Sequence, residues 1–162
     1  MTVTKVTGAW AEPDEETITK TVENLLKLKV GYIRGIYHAR RTTDLYTSST
    51  SYVDCLSLTV DAKAGDKVII LVAGRSWPTS DSASGHGQFV RDGTILIQQH
   101  IIKGGTNSNL DYAMCYVDSI SADGTYTYKF QVRTNGTSVN FYDDGYPESY
   151  EINLIVIVIG GV

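Results

Sequence analysis

Val68-Ile69-Ile70-Leu71-Val72-Ala73 and Leu154-Ile155-Val156-Ile157-Val158-Ile159 are two unbroken apolar runs of strand length. A strand that buries one face and wets the other alternates with period two. Neither run alternates, so each strand needs cover on both faces. Three bare Ile or Val side chains per strand would forgo roughly 5–9 kcal/mol of burial, and such strands invite aggregation. The cover is either the N-terminal segment of the same chain or another copy of the protein.

Outward from these runs the chain reads as strand and turn. Residues 32–39, 43–48, 52–60 and 67–73 are predicted strands, with a turn at Ala64-Gly65-Asp66 before the fourth. Residues 74–87 read as a long Ser/Gly/Pro loop carrying Trp77 and His86. Residues 88–91 and 94–100 flank Asp92-Gly93, a strong hairpin signal. Residues 104–109 form a second polar loop, then strands follow at 111–118, 125–133 and 138–142. Asn135-Gly136 turns the chain into the last of these. An acidic loop, 143–148, precedes the final strand at 150–159. Eight to ten short strands at this spacing predict an all-β domain over 32–162, a jelly-roll or β-sandwich.

The first 31 residues read differently. Residues 1–13 form an irregular arm with one large anchor, Trp10. Asp14-Glu15-Glu16 opens a predicted short helix, because acids in a first turn complement the helix dipole. Ile18, Val22 and Leu25 make one apolar stripe, too short to stand alone in water.

Composition removes several function classes. The 162 residues carry a net charge of −4 with both signs interspersed, so no cationic stripe points to nucleic acid. The longest apolar run is far short of a membrane span, and the N-terminus has no apolar signal-peptide core, so synthesis in a cytoplasm without membrane insertion, or exit by a route other than classical secretion, is expected. Cys55 and Cys115 lack metal-like spacing and are expected to be buried small hydrophobes.

No catalytic constellation emerges, and no cofactor is expected. His38, His86 and His100 are dispersed, and neither HExxH nor GxSxG occurs. Asp54 and Asp61 carry no mark of an acid/base pair. Asp143, Asp144 and Glu148 form a weak Ca²⁺ candidate, set against a simple solvated turn. Tyr126, Tyr128, Phe130 and Val132 share one strand face and read as sheet packing. Trp77, His86, Tyr142 and Tyr146 are candidate ligand-binding residues, since loops on a rigid β scaffold concentrate binding groups.

The order of motifs carries a resemblance. Gly65-Asp66-Lys67-Val68-Ile69-Ile70-Leu71-Val72, Phe89-Val90-Arg91-Asp92-Gly93-Thr94, the run from Gly124-Thr125-Tyr126 to Gln131-Val132-Arg133, and Ile152 to Gly161 occur in sequence. Together they resemble small jelly-roll domains of tailed-virus (bacteriophage) structural proteins, found in tail fibres and capsid decoration proteins. Those domains are similar to the C1q/tumour-necrosis-factor fold, which forms tight trimers. The resemblance covers about residues 50–162. It implies a homotrimer in the virion, partnered by a capsid or tail protein and, in fibre tips, by a host surface glycan or receptor.

The resulting expectation is a non-enzymatic virion structural protein, a trimeric capsid decoration or tail-associated component. Its oligomer seam would use Ile18, Val22, Leu25, Ile70, Val72, Ile155, Ile157 and Ile159, and Trp10 would anchor it to the particle. A receptor- or carbohydrate-binding module is the alternative reading. A cupin-like or glycan-cleaving enzyme is a third, for which three histidines offer little.

Overall fold

Four antiparallel strand pairs nest inside one another along the chain. β1 (Ile33–Arg41) pairs with β10 (Ile152–Ile159), and β3 (Val53–Ala62) with β8 (Gly124–Thr134). β4 (Lys67–Pro78) pairs with β7 (Leu110–Ser119), and β5 (Ser84–Arg91) with β6 (Thr94–Lys103). Lateral pairing of β10 with β4 and of β5 with β8 then gathers the ribbon into two sheets, β1-β10-β4-β7 and β3-β8-β5-β6. Short strands β2 (Tyr46–Thr47) and β9 (Val139–Asn140) extend the first sheet beyond the end of β4. A wound double-stranded ribbon packed as two antiparallel sheets is a jelly roll. The fold expectation is met.

This computed structural model describes residues 32–104, 110–141 and 151–161. The expected arm and helix, with Trp10, Ile18, Val22 and Leu25, lie outside the described residues. So do Tyr142, Asp143, Asp144, Tyr146 and Glu148.

The core is built by strand parity. Val68, Ile70 and Val72 of β4 and Ile152, Leu154, Val156 and Val158 of β10 point between the sheets and are buried. They meet Leu56 and Val60 of β3, Phe89 of β5, and Tyr128, Phe130 and Val132 of β8. The predicted packing face of β8 is thus realised. Tyr112 stacks on Phe130 with centroids 6.1 Å apart, and Phe141 meets Tyr112 edge-on at 6.3 Å. A buried polar cluster ties the sheets together at one end. Asp118 Oδ2 accepts Arg91 Nη1 at 2.6 Å and Tyr128 Oη at 2.8 Å, and Oδ1 accepts the Ser119 amide at 2.8 Å. Burial, reinforced by the bond to Asp118, pushes the Tyr128 hydroxyl's pKa well up.

Turn chemistry acts where the sequence places it. Asp92 and Gly93 have φ of 47° and 85°, the paired left-handed geometry that a tight hairpin requires. Gly65 sits at φ 89° in the predicted turn. There Asp66 accepts the amides of Lys63 at 2.8 Å and Gly161 at 3.1 Å, and the Arg34 guanidinium at 3.0 Å.

The expected long loop at 74–87 is corrected. β4 continues to Pro78 and β5 begins at Ser84, which leaves only 79–83 between them. The glycines that read as loop are strand residues over which core side chains lie. An added Cβ at Gly74 would sit 2.6 Å from Tyr112 Oη, and one at Gly87 would sit 2.8 Å from the Phe130 ring. Gly is needed there for close approach and not for turning. Trp77 and His86 are accordingly on strands.

Candidate functional site

The outward side of the β1-β10-β4-β7 sheet forms a grid of rows set by the pairing register. Ile36, Ile157, Ile69 and Val117 make one row across the four strands, and His38, Ile155, Leu71 and Cys115 make the next. Ile33, Ile159, Lys67 and Ser119 bound them on one side, and Arg40, Asn153, Ala73 and Ala113 on the other. Within the chain Ile36 is 63% exposed, Ile33 59% and Val117 53%; Ile69, Leu71, Ile155, Ile157 and Ile159 are half-buried by their neighbours.

Strand spacings of about 4.8 Å and two-residue steps of about 6.7 Å make these two rows roughly 260 Å² in plan. A contiguous apolar patch with a polar rim is the kind of surface that interaction sites use. A groove of about 590 Å³ crosses it, lined among others by Leu71, Ala73, Ala113, Cys115 and Ile155, where the small side chains leave the sheet uncovered.

The margin of the face is polar and internally paired. Lys67 Nζ donates to Ser119 Oγ at 2.7 Å, and His38 Nε2 lies 2.7 Å from Asn153 Oδ1. Arg40 pairs with Glu151 at 3.1 Å, and Arg75 with Asp111 at 2.6 Å. The bond from Arg75 holds the Asp111 carboxyl below its ordinary pKa. An apolar centre inside a satisfied polar rim is the anatomy of a protein–protein interface.

The outward side of the β3-β8-β5-β6 sheet has the opposite character. A side-chain ladder crosses all four strands. Gln131 Nε2 donates to Asp54 Oδ1 at 2.5 Å, Gln88 Nε2 to Gln131 Oε1 at 2.5 Å, and Gln98 Nε2 to Gln88 Oε1 at 2.8 Å. Lys129 Nζ reaches the other oxygen of Asp54 at 2.7 Å. The bonds from Gln131 and Lys129 hold the Asp54 carboxyl below its usual range. In the next row Arg133, His86 and His100 are cross-strand neighbours, with the imidazoles edge-to-face at 4.6 Å.

The expected seam residues divide between the two faces of their sheet. Ile155, Ile157 and Ile159 look outward, whereas Ile70 and Val72 are buried between the sheets of one chain and are corrected from seam to core. Adjacent strand residues point to opposite sides, so Ile69 and Leu71 take the outward places. Ile36 and Val117 complete the face. They lie in neighbouring strands whose pairing sequence reasoning did not assign. Cys55 is buried at a β-bulge, which pushes its thiol up to about 12. Cys115 is corrected from buried to exposed, at the β7 edge of the apolar face. Trp77 lies opposite Asn140 at the end of β4. His86 lies on the polar sheet. Asp61 accepts Thr125 Oγ1 at 2.6 Å. Among the described residues, no three His, Cys, Asp or Glu side chains gather as a metal site.

This pair of sheets has solved counterparts. The chain is similar to the VP2 protein of infectious bursal disease virus. Against the VP2 subviral particle the TM-score is 0.55 at 13% identity, covering 82% of this chain and 34% of that one. Against T=1 particles derived from the same virus it is 0.50 at 12% identity, covering 82% and 37%. This chain therefore spans little more than a third of the VP2 chains it matches, and at this identity the likeness is one of fold. Neither a protein-family model nor a curated protein matches the sequence. Both are viral VP2 proteins, and they do not themselves show the tail-fibre or decoration likeness that the motif order carries.

Proposed function

We propose that this protein is a non-enzymatic virion structural component that self-associates as a homotrimer through the outward face of its β1-β10-β4-β7 sheet. The observation that carries the reading is the pair of apolar rows centred on Ile157, Ile69, Ile155 and Leu71 inside a paired polar rim. Covering such a face in water is favourable, and closed symmetry lets identical copies cover one another. The VP2 likeness supports a virion setting, since those proteins were solved as particles. The choice of three copies, and of a decoration or tail-associated place, follows the motif resemblance. Trp10 in the arm is the proposed anchor to the particle.

Light scattering on a sizing column, at two protein concentrations, tests the assembly. A concentration-independent mass of three times 17.8 kDa is expected. A dimer would keep the face and overturn the trimer. A clean monomer would overturn both.

A further inference from the structure

We propose that Arg133, His86 and His100, on the outward side of the β3-β8-β5-β6 sheet, bind the anionic group of an acidic carbohydrate. This goes beyond the assembly reading and uses the opposite sheet, so either can fail without the other.

The register sets three basic side chains in one row across β8, β5 and β6. Lys103, opposite Ser84 on the same side, adds a fourth. Among the described residues this row has no acidic partner. The carboxylate in the adjacent row, Asp54, is occupied by Lys129 and Gln131. In a chain of net charge −4 with its histidines neutral, Arg133 and Lys103 on one side, with no acidic partner among the described residues, are a local reversal of sign. The Tyr52 ring lies 5.3 Å from the Arg133 guanidinium and holds it in place by a cation–π contact, so little ordering is left for a ligand to impose. Partial burial, then the charges of Arg133 and His100, lower the His86 pKa. A bound anion would relieve that repulsion.

The adjacent ladder decides the class of ligand. Its exposed end is Gln98, which gives Nε2 to Gln88 and turns an amide oxygen toward solvent that suits a sugar hydroxyl. Nucleic acid fits less well, because a phosphate backbone is tracked by many basic contacts spread along a groove. One short row beside an amide ladder matches a single carboxylate or sulfate on a polyhydroxylated ring.

Histidine side-chain NMR of the whole chain tests this, because one histidine, His38, lies on the other sheet and serves as an internal control. The probes are sialyllactose (carboxylate), a heparin-derived disaccharide (sulfate), lactose, and single-stranded DNA. His86 and His100 signals should move with at least one acidic sugar, while His38 stays still and lactose moves none. Arg133→Gln should weaken the response about tenfold or more, the loss of one charge-assisted bond. If that variant does not fold, His100→Ala at its exposed position should weaken the response in the same sense. The proposal is overturned by no response to either acidic sugar, by an equal response to lactose, by a response to DNA alone, or by folded variants that titrate like the parent.

Discussion

The β1-β10-β4-β7 and β3-β8-β5-β6 sheets have the same antiparallel construction and bury their inward residues in one shared core, yet the centres of their outward sides differ. Ile36, Ile157, Ile69, Val117, Ile155 and Leu71 face out from the first. Asp54, Gln131, Gln88, Gln98, His86 and Arg133 face out from the second. The core cannot account for this, since it satisfies both sheets equally from within. Water permits the second surface and penalises the first. The difference is therefore information about what each sheet meets outside its own chain.

The sharpest test of that contrast lies in two consecutive residues of β10. Val156→Asp places a charge in the shared core and should cost more than about 4 kcal/mol, leaving unfolded protein in a thermal melt. With the side chain outward, Ile157→Asp should fold and lose self-association. Unfolding of both variants would erase the distinction between the faces.

Next in size is the link between the sheets. Asp118→Ala would leave the Arg91 charge and the Tyr128 hydroxyl unpaired, and should cost about 3 kcal/mol by urea denaturation. Little change would mean that the apolar core alone holds the sheets together.

On the polar side, Gln88→Leu interrupts the ladder and strands Gln131 and Gln98. A loss of about 1–2 kcal/mol with unchanged native mass is expected. A change in mass would mean that the polar sheet also takes part in assembly.

Acid probes the same contrast more gently. Burial raises the Asp66 pKa, but the bonds from Lys63, Gly161 and Arg34 more than reverse this, so it stands below its ordinary value. A carboxyl whose pKa is lower folded than unfolded contributes stability above about pH 4, and that stability is lost as pH falls through the folded value. The melting temperature should thus fall on acidification below about pH 4, and Asp66→Asn should flatten that fall. An equal acid dependence in the variant would place the responsible carboxyls elsewhere.

The smallest effect is expected at Tyr112, whose buried hydroxyl has no hydrogen-bond partner among the described residues. Tyr112→Phe should leave the melting temperature unchanged or slightly higher, because it removes an unsatisfied polar group. A marked loss would reveal a partner for that hydroxyl.

What the sequence determined by itself is considerable. The unbroken runs at 68–73 and 154–159 declare two central strands needing cover on both faces, and Asp92-Gly93 and Gly65 mark turns found at positive φ. These signals are local, because side-chain period and turn dihedrals depend only on neighbours along the chain. Tertiary structure decided the rest. It split Ile70 and Val72 from Ile69 and Leu71, set Ile36 and Val117 beside them, and exposed Cys115. It also turned all but 79–83 of the glycine-rich 74–87 stretch into strand, with Tyr112 and Phe130 filling the space that side chains at Gly74 and Gly87 would occupy. The row of Arg133, His86 and His100 exists only through register, which joins residues far apart in sequence. Parity is legible in a strand, but which side faces a second sheet is settled only when that sheet packs against it.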